Sequence, residues 1–218
     1  MARPSSTGKN TMPYGFLEIA STPSVLAAQR AMGSERAYRN FKGDRTFDRF
    51  TPNEAAFIAA RDSFYMATVS ETGWPYVQHR GGPRGFLKVL DETTLAFADY
   101  RGNRQYISVG NLAATSRAAL ILVDYAAGAR LKIYAHVEAV AMDNDLAALF
   151  ADPDYSAKPE RIFVLRLAAF DWNCPQHITP RFTKAEVTAA MTPLRDRLAA
   201  LEAENEQLRT RLASSRGE

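Results

Sequence analysis

Three polar segments hold most of the chemistry available to this chain. The first is Gln78-His79-Arg80-Gly81-Gly82-Pro83-Arg84-Gly85, where an amide, an imidazole and a guanidinium pass straight into glycines. Glycine lets a ligand come close to the backbone, and the three side chains offer hydrogen bonds and positive charge at a strand end. The second is Asp99-Tyr100-Arg101-Gly102-Asn103-Arg104-Gln105, a strand end that turns through Gly102 and opens a helix. Exposed helix N–H groups, the helix dipole and two guanidinium forks together suit a phosphate. The third is Asp171-Trp172-Asn173-Cys174-Pro175-Gln176-His177-Ile178, a proline-bounded, non-helical stretch following the last strand. Its indole, amides and imidazole suit the edge of a planar, hydrogen-bonding heterocycle. A polar loop with a solvated arginine would account for either of the first two segments alone. Their occurrence together, at equivalent ends of neighbouring strands, favours a binding site.

Other chemistry is poorly represented. The sequence has no Gly-x-Ser-x-Gly, phosphate loop, His-Glu-x-x-His or Cys-x-x-Cys. His79, His136 and His177 lie too far apart in sequence for close ligand spacing, so no metal site is expected. Cys174 is the single cysteine and reads as a neutral thiol. No side chain is assigned a catalytic role.

The elements that must position these segments are mainly strands. Thr51-Pro52-Asn53-Glu54 predicts a helix start, with Pro52 at the first helical position and Glu54 closing a capping box on Thr51. From Asp62 the apolar period becomes two. Strands are predicted at 64–70, 74–79, 86–90, 94–98, 118–124, 131–140 and 161–167, with a helix over 104–113 and a short one near Asn144 to Ala151. Hairpin-length turns between them favour an antiparallel barrel over a parallel α/β sheet. Residues 1–50 read as an N-terminal arm with a short helix over Val25 to Met32, and the aromatic stretch Phe41 to Phe50 is expected to lie on the body.

From Thr183 the pattern is helical. Leu194, Leu201 and Leu208 take heptad d positions, while Leu198, Asn205 and Leu212 take a positions. One Asn at an a position is the device that fixes a parallel two-stranded register. Arg197 at g would face Glu202 at e of a partner, and Glu204 would face Arg209. A single helix packed on its own barrel would want a wider apolar stripe. Residues 183–218 are therefore expected to form a parallel dimeric coiled coil, too short to hold a dimer alone.

Composition bounds the function classes. The chain has 218 residues, with 27 basic against 24 acidic and a formal net charge of +3. No dense Lys/Arg block argues for nucleic acid. One cysteine rules out an internal disulfide and suits a reducing compartment. No apolar run reaches the roughly 18–20 residues of a membrane span, and Arg3 is followed by no apolar stretch, so a cytoplasmic protein is expected.

Four of these stretches together resemble a known family. Gln78-His79-Arg80-Gly81, Phe97-Ala98-Asp99-Tyr100-Arg101-Gly102-Asn103-Arg104, Asn111-Leu112 and Asn173-Cys174-Pro175-Gln176-His177-Ile178 resemble the pyridoxamine 5'-phosphate oxidase-related, FMN-binding split barrels. The resemblance covers Thr51 to Phe182. It implies a six-stranded antiparallel split β-barrel with flanking helices over 51–182, a homodimer, and FMN sites built from both chains. It also implies an FMN-dependent oxidoreductase acting on a small molecule, the alternatives being a non-catalytic FMN-binding or flavin-sensing module, or a haem-binding split barrel.

Carried over by position, the resemblance sets Gln78, His79 and Arg80 beside flavin and phosphate, with Lys88 near a family lysine. Tyr100, Gly102, Asn103 and Arg104 match the turn that holds the phosphate, Arg104 standing where the family has a lysine. Asn173, Gln176 and His177 would approach the isoalloxazine edge from the other subunit. The true oxidase closes with a strand region bearing basic residues for the vitamin's phosphate. Helix stands there from Thr183, so pyridoxamine phosphate oxidation is not expected.

Overall fold

The computed structural model describes residues 15–36, 48–142, 148–173 and 176–215. The expected aromatic stretch at Phe41 to Phe47, the start of the expected helix near Asn144, and Cys174 with Pro175 lie outside the described residues. Two compact units are present. One comprises residues 1–124 and 129–176, the other 125–128 and 177–218.

The first unit is a seven-stranded, wholly antiparallel sheet. Its strands are β1 (Ser63–Val69), β2 (Pro75–Gly81), β3 (Lys88–Asp91), β4 (Thr94–Tyr100), β5 (Arg117–Asp124), β6 (Ala129–Val140) and β7 (Pro159–Asn173). They lie in the order β2-β1-β5-β6-β7-β4-β3, one strand more than the six the resemblance implies. Helices α1 (Gly15–Ala20), α2 (Pro23–Ala31), α3 (Pro52–Ala59) and α4 (Ile107–Ala114) flank it.

Period-two patterning builds the core. On β1 the inward residues are Phe64, Met66 and Thr68; on β6 they are Leu131, Ile133, Ala135 and Val137. The strand β4 departs from alternation because both faces are covered. Leu95 and Phe97 point into the main core, while Ala96 and Ala98 pack with Phe150 and Ile162 in a second cluster. The sheet curls so that β1 meets β4 across its interior. Phe64 stands edge-on to Phe97, centroids 5.2 Å apart, and stacks on Phe86 at 5.5 Å. That curl brings the end of β2 against β4 without backbone pairing between the two strands, which is the split of the barrel.

Local signals explain the ends of α3 and α1. The capping box is formed: Thr51 N donates to Glu54 Oε2 at 3.0 Å. Glu54 is also fully buried, and its Oε1 accepts the Trp172 indole N–H at 2.7 Å, tying α3 to β7. The helix α1, which the sequence reading does not include, is anchored by Phe16, stacked on Tyr134 at 4.5 Å. Phe50, at the end of the aromatic stretch and the one of its phenylalanines among the described residues, is buried and stacks on Phe170.

Asp171 to Asn173 correct the sequence reading. They belong to β7, a 15-residue strand, where a non-helical loop was expected. The alternating run simply continues, pairing Trp172 with Leu131 and Asn173 with Arg130.

The second unit is dominated by α5 (Lys184–Ser214), whose N-cap Thr183 accepts from Glu186 N while Glu186 reaches back. Beside it within this unit, the Arg181 guanidinium lies over the Tyr125 ring at 4.9 Å. Among the described residues no helix is long and apolar enough to cross a membrane.

Candidate functional site

A cavity of about 230 Å³ opens where the end of β2, the end of β4 and the N-terminus of α4 converge. Alternation along β2 decides which of its residues enter. Tyr76, Gln78 and Arg80 line the cavity, while Val77 and His79 face the other way. Gln78 is held by Ser108, whose hydroxyl donates to Oε1 at 2.9 Å. His79 instead stands edge-on to Tyr65, centroids 5.4 Å apart.

The two cavity arginines differ in environment. Arg80 is nearly buried, its side chain 11% exposed, and its Nη1 donates to Oδ1 of Asp99, itself 8% exposed. The other oxygen of Asp99 faces Arg161 Nε at 3.3 Å. One buried carboxylate thus serves two guanidinium groups. The Arg80 group also lies over the rings of Phe97 and Phe163, at 5.7 and 5.4 Å. Its Nε is buried with no acceptor among the described residues. Arg104 is exposed and has no ion pair among the described residues.

The loop that presents Arg104 is conformationally costly. Arg104 has φ 63° and Tyr106 φ 52°, both left-handed in residues with a Cβ. Each costs on the order of 1 kcal/mol or more, and such residues cluster where a loop is held for binding. Asn103 supports the turn by accepting from Gln105 N at 3.2 Å. Tyr106 is the N-cap of α4 and supplies no side-chain cap. Ile107, Ser108 and Val109 line the cavity, so the positive end of the helix faces it with uncapped N–H groups.

Glu160, at the start of β7, closes the cavity wall. Its carboxylate accepts from Arg101 Nε at 2.9 Å, Tyr106 Oη at 3.2 Å and Arg161 Nη2 at 3.2 Å. Those partners, Arg101 foremost, hold its carboxyl below the ordinary glutamate value. Burial, with Tyr155 and Asp152 nearby, pushes the Tyr100 phenol up, so Tyr100 stays a neutral hydroxyl.

Of the residues singled out in the sequence, Gln78, Arg80, Tyr100, Gly102, Asn103 and Arg104 come together here. Lys88 does not line the cavity; it opens β3 and its ammonium lies over Phe150 at 5.8 Å. Asn173 ends β7, thirteen residues beyond Glu160, or about 40 Å along an extended strand. Gln176 lies three residues further along the chain, and His177, at φ 63°, opens the C-terminal segment of the second unit. Asp99, Tyr106, Ser108, Glu160 and Arg161 were not assigned from sequence. Asp99 could have been found as the one charge in an otherwise uncharged strand. Glu160 lies 54 residues from Tyr106 and gives no local signal. Among the described residues no group of His, Cys, Asp and Glu could hold a metal ion.

No curated protein matches the chain. Solved structures similar to it include an FMN-binding protein from Syntrophomonas wolfei, at 14% identity over 68% of this chain and 97% of that one, TM-score 0.44. HupZ of Group A Streptococcus is similar at 12% identity over 61% and 100%, TM-score 0.47. The haem storage protein HutZ of Vibrio cholerae is similar at 16% over 55% and 90%, TM-score 0.36. The family described as pyridoxamine 5'-phosphate oxidase matches residues 50–172, more than half of the chain. That span runs from the buried Phe50 to Trp172 near the end of β7 and contains the whole cavity, so the chain belongs to the pyridoxamine 5'-phosphate oxidase family.

Proposed function

We propose that this protein is an FMN-dependent oxidoreductase that acts on a small molecule as a homodimer with shared cofactor sites. The observation that supports this reading most is Arg104, a cation without an ion partner among the described residues, set beside the uncapped N-terminus of α4. A phosphate ester is the ligand such a pair suits: N–H groups and dipole bind its oxygens, and the guanidinium binds its charge. The acidic neighbours do not spoil that fit. Asp99 is engaged by Arg80 and Arg161, and Glu160 by Arg101, Tyr106 and Arg161.

Size supports a shared site. A cavity of about 230 Å³ is smaller than the roughly 300–1,000 Å³ of whole-ligand pockets. It takes a phosphate and part of the ribityl chain, which leaves the ring to lie against further residues. Asn173, Gln176 and His177 are the candidates, supplied by the partner. Exposed apolar residues Tyr65, Val69, Trp74 and Val77, on β1, β2 and the turn between them, are available for such an association.

When bound, FMN would accept or donate hydride at N5, and the chain need supply no nucleophile. The residues here bind and orient. Ser108 fixes the Gln78 amide so that its nitrogen is left as a donor, and the buried Arg80–Asp99–Arg161 group keeps the walls in place. A haem reading would want a histidine at the site, and none of the described residues lining this cavity is one.

The test is fluorescence titration of the purified protein with FMN, wild type against Arg104→Ala. Loss of one charge-assisted contact should weaken binding by about 2 kcal/mol, near 30-fold, with the fold intact. Unchanged affinity in a folded variant removes the assignment. A protein that binds FMN but is reduced by none of a panel of donors is a binding module instead.

A further inference from the structure

The helix α5 carries an apolar seam that none of the described residues covers. Every described residue from Phe182 to Ser215 is exposed. Continued towards the N-terminus from Leu194, the heptad places Met191 at a and Val187 at d, so the seam runs Val187, Met191, Leu194, Leu198, Leu201, Asn205, Leu208, Leu212. Its seven apolar members are each 42–64% exposed. Eight positions alternate at spacings of four and three without a break over 26 residues, about 38 Å of helix. Pro193, the one residue that could interrupt it, stands at c, away from the seam.

We propose that the occupant of this seam is α5 of a second copy, laid parallel and in register. Charge complementarity selects that partner. In register, Arg197 meets Glu202 and Glu204 meets Arg209 across both flanks, and Asn205 meets Asn205, whose amides satisfy each other. The same eight positions aligned antiparallel would set Asn205 against Leu194, burying an amide with no partner. An unrelated apolar helix would leave Asn205 in the same condition. This holds whatever cofactor the barrel binds.

The experiment uses the full chain with Cys174→Ser, so that each added cysteine is the only thiol. Asn205→Cys puts thiols at facing a positions, close enough for a disulfide, while Ala203→Cys puts them at f, on the outer side. Mild oxidation should give disulfide-linked dimers from Asn205→Cys and none from Ala203→Cys. Adding Leu201→Asp to Asn205→Cys should abolish the cross-link, with circular dichroism showing an intact sheet. Equal cross-linking at 203 and 205 overturns the proposal. So does the absence of cross-linking at 205 in a folded chain, or cross-linking that survives Leu201→Asp.

Discussion

Arg80 and Arg104 are alike in the sequence, each a guanidinium within two residues of a glycine where a strand gives way to a turn, yet burial gives them opposite work. Arg80 is spent on Asp99 and holds two strands together across the split; Arg104 is exposed, with no ion pair among the described residues, and is the one proposed to meet a ligand. Removing the carboxylate should therefore hurt the fold. Asp99→Ala leaves Arg80 and Arg161 without their shared counter-charge, and should cost about 3–5 kcal/mol, read as a fall in the urea midpoint. Arg104→Ala, on the surface, should shift the same midpoint by no more than about 0.5 kcal/mol. A similar fall for both would mean that Arg104 is structural. The cavity was legible in sequence to the extent that its residues are local: Gln78, Arg80 and the turn 100–104 read directly from their neighbours. The resemblance misled at His79, because period two sets it between the inward Gln78 and Arg80 and so turns it outward. Glu160 and Arg161 were invisible because β7 brings them in from more than fifty residues away.

At the scale of elements, the strands were legible because one-sided burial writes a period of two, and their ends were less so. Asp171 to Asn173 read as a loop since Asp and Asn disfavour strands, but pairing with β6 outweighs that preference. The helix α4 begins at Ile107 instead of Arg104 because the left-handed Arg104 and Tyr106 delay it. What keeps α4 aimed at the cavity is a pair of hydrogen bonds to the barrel. Ser108 reaches Gln78, and Asn111 Nδ2 donates to the buried Thr68 hydroxyl at 3.0 Å. Asn111→Ala leaves that hydroxyl without its donor and should destabilise by about 1–3 kcal/mol. Thr68→Ala with Asn111→Ala should cost less than the sum of the single changes, by about 1 kcal/mol, in urea unfolding of the four proteins. Additivity would show that the contact does not couple the helix to the sheet.

For the whole molecule, the arrangement of one chain poses the question of how the proposed flavin site would be completed. The cavity lined by Arg104 and the N-terminus of α4 sits at the Glu160 end of β7, and Asn173 stands at the other end of that strand. A strand cannot fold back on itself, so a site that uses both ends draws them from different subunits. Arg104→Glu should then destroy the phosphate half of each site, and Gln176→Ala with His177→Ala the ring half, leaving each homodimer unable to hold FMN. Unfolding and refolding an equal mixture gives half the dimers as heterodimers. In each of these, one site receives both damaged halves and the other receives both intact ones. Binding should therefore return to roughly a quarter of wild-type capacity at wild-type affinity, measured by titrating bound flavin in the refolded mixture. If the site is instead built within one chain, every site in the mixture carries a lesion. Capacity then stays at zero, which would rule out sharing while leaving the phosphate assignment intact.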